Sequence, residues 1–147
     1  MELIKCLAGK TPGKGVFDYF PLWQASFPNL APPAVPAEAL NAARERPNLA
    51  LAFFLSGSIL ESVLPGLRLS NAQSGSVRNI LRHLPGSCPV GEPAVRRFLS
   101  KLPKEDALDV LFAWNILGRD KAEEAMQTAL AVYGRGDCLN LADLRIS

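Results

Sequence analysis

Histidine occurs once in these 147 residues, as His83, and cysteine three times, at Cys6, Cys88 and Cys138, with no Cys-x-x-Cys pair. One imidazole and scattered thiols cannot make a zinc site from this chain alone. An odd number of distant cysteines points to reduced thiols in a cytoplasmic protein rather than a disulfide framework. The chain has no Asp-x-Asp and no Gly-Gly, the patterns expected where two metals drive phosphoryl transfer. His83 is followed by Leu84, so the His-Asp pair of metal-dependent phosphohydrolases is missing, and no Gly-x-Ser-x-Gly nucleophile elbow occurs. The run Gly9–Gly15 fails as a phosphate-binding loop, because the residue five before Gly9 is Ile4 and no strand leads into it. These absences leave no catalytic residue, metal site or cofactor site to assign.

Long apolar runs are also lacking. The most apolar stretch, Leu49–Leu60, is interrupted by Ser56, Gly57 and Ser58 and is too short to span a bilayer. The first nine residues lack the apolar run of a signal peptide, so a cytoplasmic protein without membrane contact is expected. Strand-like alternation is absent throughout. Hydrophobic residues nevertheless make up 48% of the chain and charged residues 20%, which suits one domain with a real core or two small helical lobes. The net charge of +2 does not mark a nucleic-acid binder, so only local clustering of cations can carry that reading.

What is present reads as helix. Residues 2–8 suit a short helix, and the glycines and proline of Gly9–Gly15 predict a connector with Lys10 and Lys14 exposed. Phe17, Tyr19, Phe20, Leu22, Trp23 and Phe27 form an aromatic cluster expected to be core. Pro28, Pro32, Pro33 and Pro36 mark a rigid connector. A helix follows from Pro36 to Arg46, then one capped by Asn48 that runs through Gly57 towards Val63 and stops at Pro65-Gly66. Ser87–Pro93 is a second connector. Ala94, Val95, Phe98, Leu99 and Leu102 give one further amphipathic helix, and Leu108, Leu111, Phe112 and Ile116 another, opened by Pro103. Glu105 and Asp106 lie in the first turn of the latter, where the helix dipole favours anions. A last helix is expected between a cap at Asp120 and a left-handed stop at Gly134. The apolar pattern from Leu139 to Ile146 begins another element that the chain does not complete. The expected fold is all-α, with six or seven short helices in a bundle or short superhelix.

The most informative stretch is Leu67–Leu84. Ser70 and Gln73 have the spacing of a capping box, and Val77, Ile80, Leu81 and Leu84 follow at helical spacing. Arg78 and Arg82 lie one turn apart on another side of that helix. Together with Arg68, Arg96, Arg97, Lys101 and Lys104 they form a basic strip in which Glu92 is the only acid. Such a strip suits phosphate contacts without base reading; it is also what an ordinary solubilising face looks like.

Several segments, in order, resemble the helical C-terminal half of the bacterial tRNA nucleotidyltransferase / poly(A) polymerase family, the CCA-adding enzymes. Glu2-Leu-Ile-Lys-Cys-Leu-Ala-Gly with Gly15-Val-Phe is similar to the family's helical neck, and Leu49-Ala-Leu-Ala-Phe-Phe-Leu to its recurring Leu-Ala-x-Leu-Leu helix. Leu67-Arg-Leu-Ser-Asn resembles the entry to a body helix, and Val95-Arg-Arg-Phe-Leu through Ala113 the helix pair after it. Leu139-Asn-Leu-Ala-Asp-Leu-Arg-Ile resembles the start of a Leu-x-x-x-Asp-Leu-x-Ile-x-Gly-x-Asp-Leu segment, whose Gly-x-Asp-Leu is missing. The family's catalytic head has no counterpart here, so no catalytic residue carries over.

The resemblance implies a neck-like region over 1–35, a body-like region over 36–86 and a tail-like region over 87–147 that is truncated. It also implies a role in gripping tRNA while a head adds nucleotides. Arg78, Arg82, Arg96, Arg97 and Lys101 are then the expected contacts to the tRNA phosphate backbone. The alternative is a helical protein-interaction module without a nucleic-acid role, using the Phe17–Phe27 cluster or the Leu49–Leu60 face.

Overall fold

A computed structural model describes Leu7, Gly9 and residues 12–135, the last of these by its backbone. Every regular element among the described residues is helical: α1 (Pro12–Asp18), α2 (Phe20–Ser26), α3 (Ala37–Ala42), α4 (Pro47–Phe54), α5 (Leu60–Leu67), α6 (Asn71–His83), α7 (Glu92–Ser100), α8 (Lys104–Ile116) and α9 (Ala122–Arg135). These nine helices exceed the expected six or seven. Two segments read as connector and core cluster are themselves helical, and the helix expected from Asn48 to Val63 is two. Of the short helix expected over 2–8, only Leu7 is described, helical and buried. The segment from Leu139 to Ile146 lies outside the described residues. No described helix is long and apolar enough to cross a membrane.

The chain divides into two compact units, Met1–Arg82 and His83–Ser147. In the first, α1 packs on α2 and α3, and α3 on α4. The continuous apolar run of α4 is explained by its surroundings: Leu49 through Phe54 are all buried, so no polar face is needed. Of the run Gly9–Gly15, expected to be a connector, the residues from Pro12 onward instead begin α1. Gly13 costs helix propensity, about 1 kcal/mol relative to alanine, but a Cβ there would collide with the Ala37 carbonyl. Its absence lets α1 lie against the start of α3, where the Gly13 N–H donates to Asn41 Oδ1 at 2.9 Å.

Helix ends follow the prolines more than the polar caps. Arg46, not Asn48, is the N-cap of α4, and Pro47 takes the first helical position, where its missing N–H costs nothing. Helix α3 stops at Ala42, with Ala43 as its C-cap, rather than running to Arg46 as expected. The expected passage through Gly57 is broken after Phe54. The Ser56 and Ser58 hydroxyls accept the Ala34 and Ala31 N–H groups, both at 2.9 Å, tying the proline-rich connector to this turn. A Cβ at Gly57 would strike the Pro32 carbonyl. Helix α5 passes through Pro65 to Leu67 rather than stopping at Pro65-Gly66, and Arg68 closes it in the left-handed region at φ 53°. In α6 the capping box forms as expected: the Gln73 N–H donates to Ser70 Oγ, and the Ser70 N–H to Gln73 Oε1, each at 3.1 Å. Val77 and Ile80 are buried, and Leu81 is half-buried.

In the second unit α7, α8 and α9 pack on one another. Val95, Phe98 and Leu99 form the inner face of α7. Phe98 lies 5.4 Å from the Trp114 ring, with His83 edge-on at 5.9 Å on the same phenyl ring. The buried Trp114 indole donates to the Leu84 carbonyl at 3.0 Å, so its polar edge is satisfied. The N-terminus of α9 is set by Lys121, whose carbonyl accepts the Ala125 N–H at 3.0 Å, not by Asp120. Gly134 does not stop α9, which continues to Arg135.

Candidate nucleic-acid interface

The five candidate phosphate contacts divide between the units. Arg78 and Arg82 belong to the first, on α6, a helix fixed in place by its buried Val77 and Ile80. Arg96, Arg97 and Lys101 belong to the second: the two arginines lie on α7, whose opposite side holds Val95, Phe98 and Leu99 in the core, and Lys101 is its C-cap. Burial of one face aims the other at solvent, which is how amphipathic spacing alone displays a cation.

They are not electrostatically equivalent. The Arg78 guanidinium meets Glu61 of α5 through both its terminal nitrogens, with Nη2–Oε2 at 3.3 Å. Arg96 is half-buried and its Nε lies 3.7 Å from the Glu92 carboxylate, one turn earlier. Arg82, Arg97 and Lys101 are exposed. Among the flanking cations of the strip, Lys104 has its Nζ 5.2 Å from the centre of the Tyr133 ring, a cation–π contact. The strip is therefore less uniform than its sequence: two of the five expected contacts already hold a carboxylate. Glu61 escapes a sequence scan because it lies 17 residues before Arg78 and outside the run of cations. Only the α5–α6 turn brings them together.

Two acids that sequence spacing did not distinguish are buried on α8, Asp106 and Asp109, each about 4% exposed, and both are partnered. Asp106 lies in the first turn of α8 as expected, with its side chain inside the unit. Among the described residues, no three His, Cys, Asp or Glu side chains gather into a group able to hold a metal ion. The two apolar candidates differ. The Leu49–Leu60 face is largely internal, with Leu49 through Leu55 buried. The aromatic cluster expected in the core is largely outside it: α2 buries none of its residues, and Tyr19 and Leu22 are 60% and 67% exposed. Trp23 anchors α2, edge-on to Phe54 at 5.8 Å and donating its indole N–H to the Gly15 carbonyl at 3.4 Å. No family model, no curated protein and no solved structure matches this chain.

Proposed function

We propose that this chain is a tRNA-binding helical portion of a CCA-adding or poly(A)-polymerase-like nucleotidyltransferase. It grips the RNA backbone while a catalytic head outside this sequence adds nucleotides. The observation that carries the reading is the exposure of Arg82, Arg97 and Lys101 on helices whose other faces are locked into apolar cores. A cation on a fixed helix meets a phosphate with little loss of freedom, and such contacts position RNA without reading its bases. The ordered neck-, body- and tail-like segments supply the choice of RNA. Arg78 and Arg96 contribute by exchanging their carboxylate partners for phosphate. The test is a fluorescence-anisotropy titration of tRNA at several salt concentrations. With three to five phosphate contacts, log affinity falls against log salt with a slope of about −2 to −4. Arg82→Ala and Arg97→Ala each flatten that slope by nearly one, evenly across tRNA species. Affinity that ignores salt removes the proposal.

A second reading is favoured by α2. An apolar helix that buries none of its own residues suits a protein partner. It predicts concentration-dependent association, indifferent to RNA and abolished by Leu22→Glu, read by analytical ultracentrifugation.

A further inference from the structure

The first unit carries an open cleft of about 610 Å³ between α1 and the turn that leads into α3. Val35 and Pro36 contribute apolar wall, and the ring of Phe17, 37% exposed, stands at the opening. Three polar side chains line the same cleft: Lys14, Asp18 and Asn41. Lys14 lies one turn before both Phe17 and Asp18, so the three share one side of α1. The Asn41 amide is oriented, because its Oδ1 accepts the Gly13 N–H; what it still offers is the pair of Nδ2 donors.

We infer that this cleft takes one unpaired nucleotide of a bound RNA, with the base stacked on Phe17 and the phosphate at Lys14. The inference rests on the RNA-binding reading above and deepens it. A volume of several hundred cubic ångströms is that of a small-ligand site, ample for a single nucleotide and far too narrow for a duplex. An aromatic face beside a cation is the usual means of holding unpaired bases. Lys14 and Asp18 give the opening a polarity: the phosphate goes to the ammonium, away from the carboxylate. The base edge then meets one acceptor, Asp18, and the donors of Asn41. An exocyclic amino group or the N3–H of uracil can donate to Asp18 while a ring nitrogen or carbonyl accepts from Asn41, so these two groups orient the base rather than choose it.

The test uses the whole chain, labelled with nitrogen-15, and follows amide resonances while AMP, UMP or ribose 5-phosphate is added. AMP is expected to shift the Gly13 N–H and the Asn41 side-chain amide. UMP, whose smaller ring stacks less on Phe17, binds somewhat more weakly, and ribose 5-phosphate, which has no base, about tenfold more weakly. Phe17→Ala costs about tenfold in AMP affinity and Phe17→Tyr restores it, which separates stacking from damage to the fold. AMP that leaves these two amides unmoved, or ribose 5-phosphate binding as well as AMP, overturns the inference. The tRNA titration separates the two readings. Salt-steep tRNA binding weakened by Arg82→Ala but indifferent to Phe17→Ala overturns the cleft and leaves the backbone grip. AMP bound in the cleft without any tRNA binding supports the cleft as a nucleotide site and removes the tRNA reading.

Discussion

Glu61 holds the Arg78 guanidinium across the turn between α5 and α6, with both carboxylate oxygens engaged. The pair is partly solvated, the side chains being 42% and 72% exposed, so its contribution to stability is small, about 0–1 kcal/mol. On the RNA-binding reading its larger effect is on recognition, because the pair must be broken before Arg78 meets a phosphate. Glu61→Gln is expected to raise tRNA affinity several-fold at low salt and to steepen the salt slope. Arg78→Ala in the unaltered protein costs less affinity than Arg82→Ala. Anisotropy titrations at two salt concentrations check both, and equal losses at Arg78 and Arg82 count against the pairing in solution.

The Ser70–Gln73 capping box is the start signal of α6, which carries two of the candidate contacts. Ser70→Ala removes the acceptor of the Gln73 N–H and is expected to cost about 0.5–2 kcal/mol. Urea unfolding, read by far-ultraviolet circular dichroism, measures the loss. Ser70→Asp should restore most of it, since a carboxylate serves as a cap and suits the helix dipole.

Gly13→Ala tests the approach of α1 to α3. The added methyl would strike the Ala37 carbonyl, so the helices must part and the Gly13–Asn41 hydrogen bond lengthen. A loss of about 1–3 kcal/mol is expected, despite alanine's better helix propensity. Gly134→Ala is the control: it also lies within a helix, and nothing among the described residues stands near its added Cβ. That substitution is expected to be neutral or stabilising.

Cys88 provides a pH dependence. Burial raises its thiol above the ordinary value; Arg119 acts the other way, and Asp120 adds to the rise. The folded chain therefore keeps the proton longer than the unfolded one. The associated stability is fully present at neutral pH and is lost as pH rises past about 8.5. Cys88→Ser should flatten this alkaline loss in urea titrations between pH 7 and about 10. Alkylation of Cys88 by iodoacetamide at pH 7 should be slower than that of a free thiol.

Legibility from sequence varied with the range of the interaction involved. The α6 capping box was readable because both partners lie within one turn, and the cores of α6 and α7 because helical spacing repeats locally. The outcome at Gly13 and Gly57 was not. Glycine reads as a breaker, and only a second segment close by, Ala37 or Pro32, reveals close approach as its use. The aromatic cluster misled for a related reason: hydrophobicity says that a residue gains from burial, not that a facing surface exists to bury it.

The sequence by itself determined the helical class, the capped start of α6, the buried faces of α6 and α7 and the residues that carry cations. All of these follow from spacing within a few turns and from backbone propensity. Tertiary structure alone decided that Arg78 holds a carboxylate while Arg82, Arg97 and Lys101 are exposed. It also decided that α4 lies inside while α2 stays at the surface, and that Phe17, Lys14, Asp18 and Asn41 line one cleft. The pair of Arg96 and Glu92, one turn apart on α7, follows from helical spacing, but whether a side chain is buried or open depends on what packs beside it. Charge pairing and burial are properties of neighbours in space, and the chain brings such neighbours together across 30 residues in the case of Leu84 and Trp114.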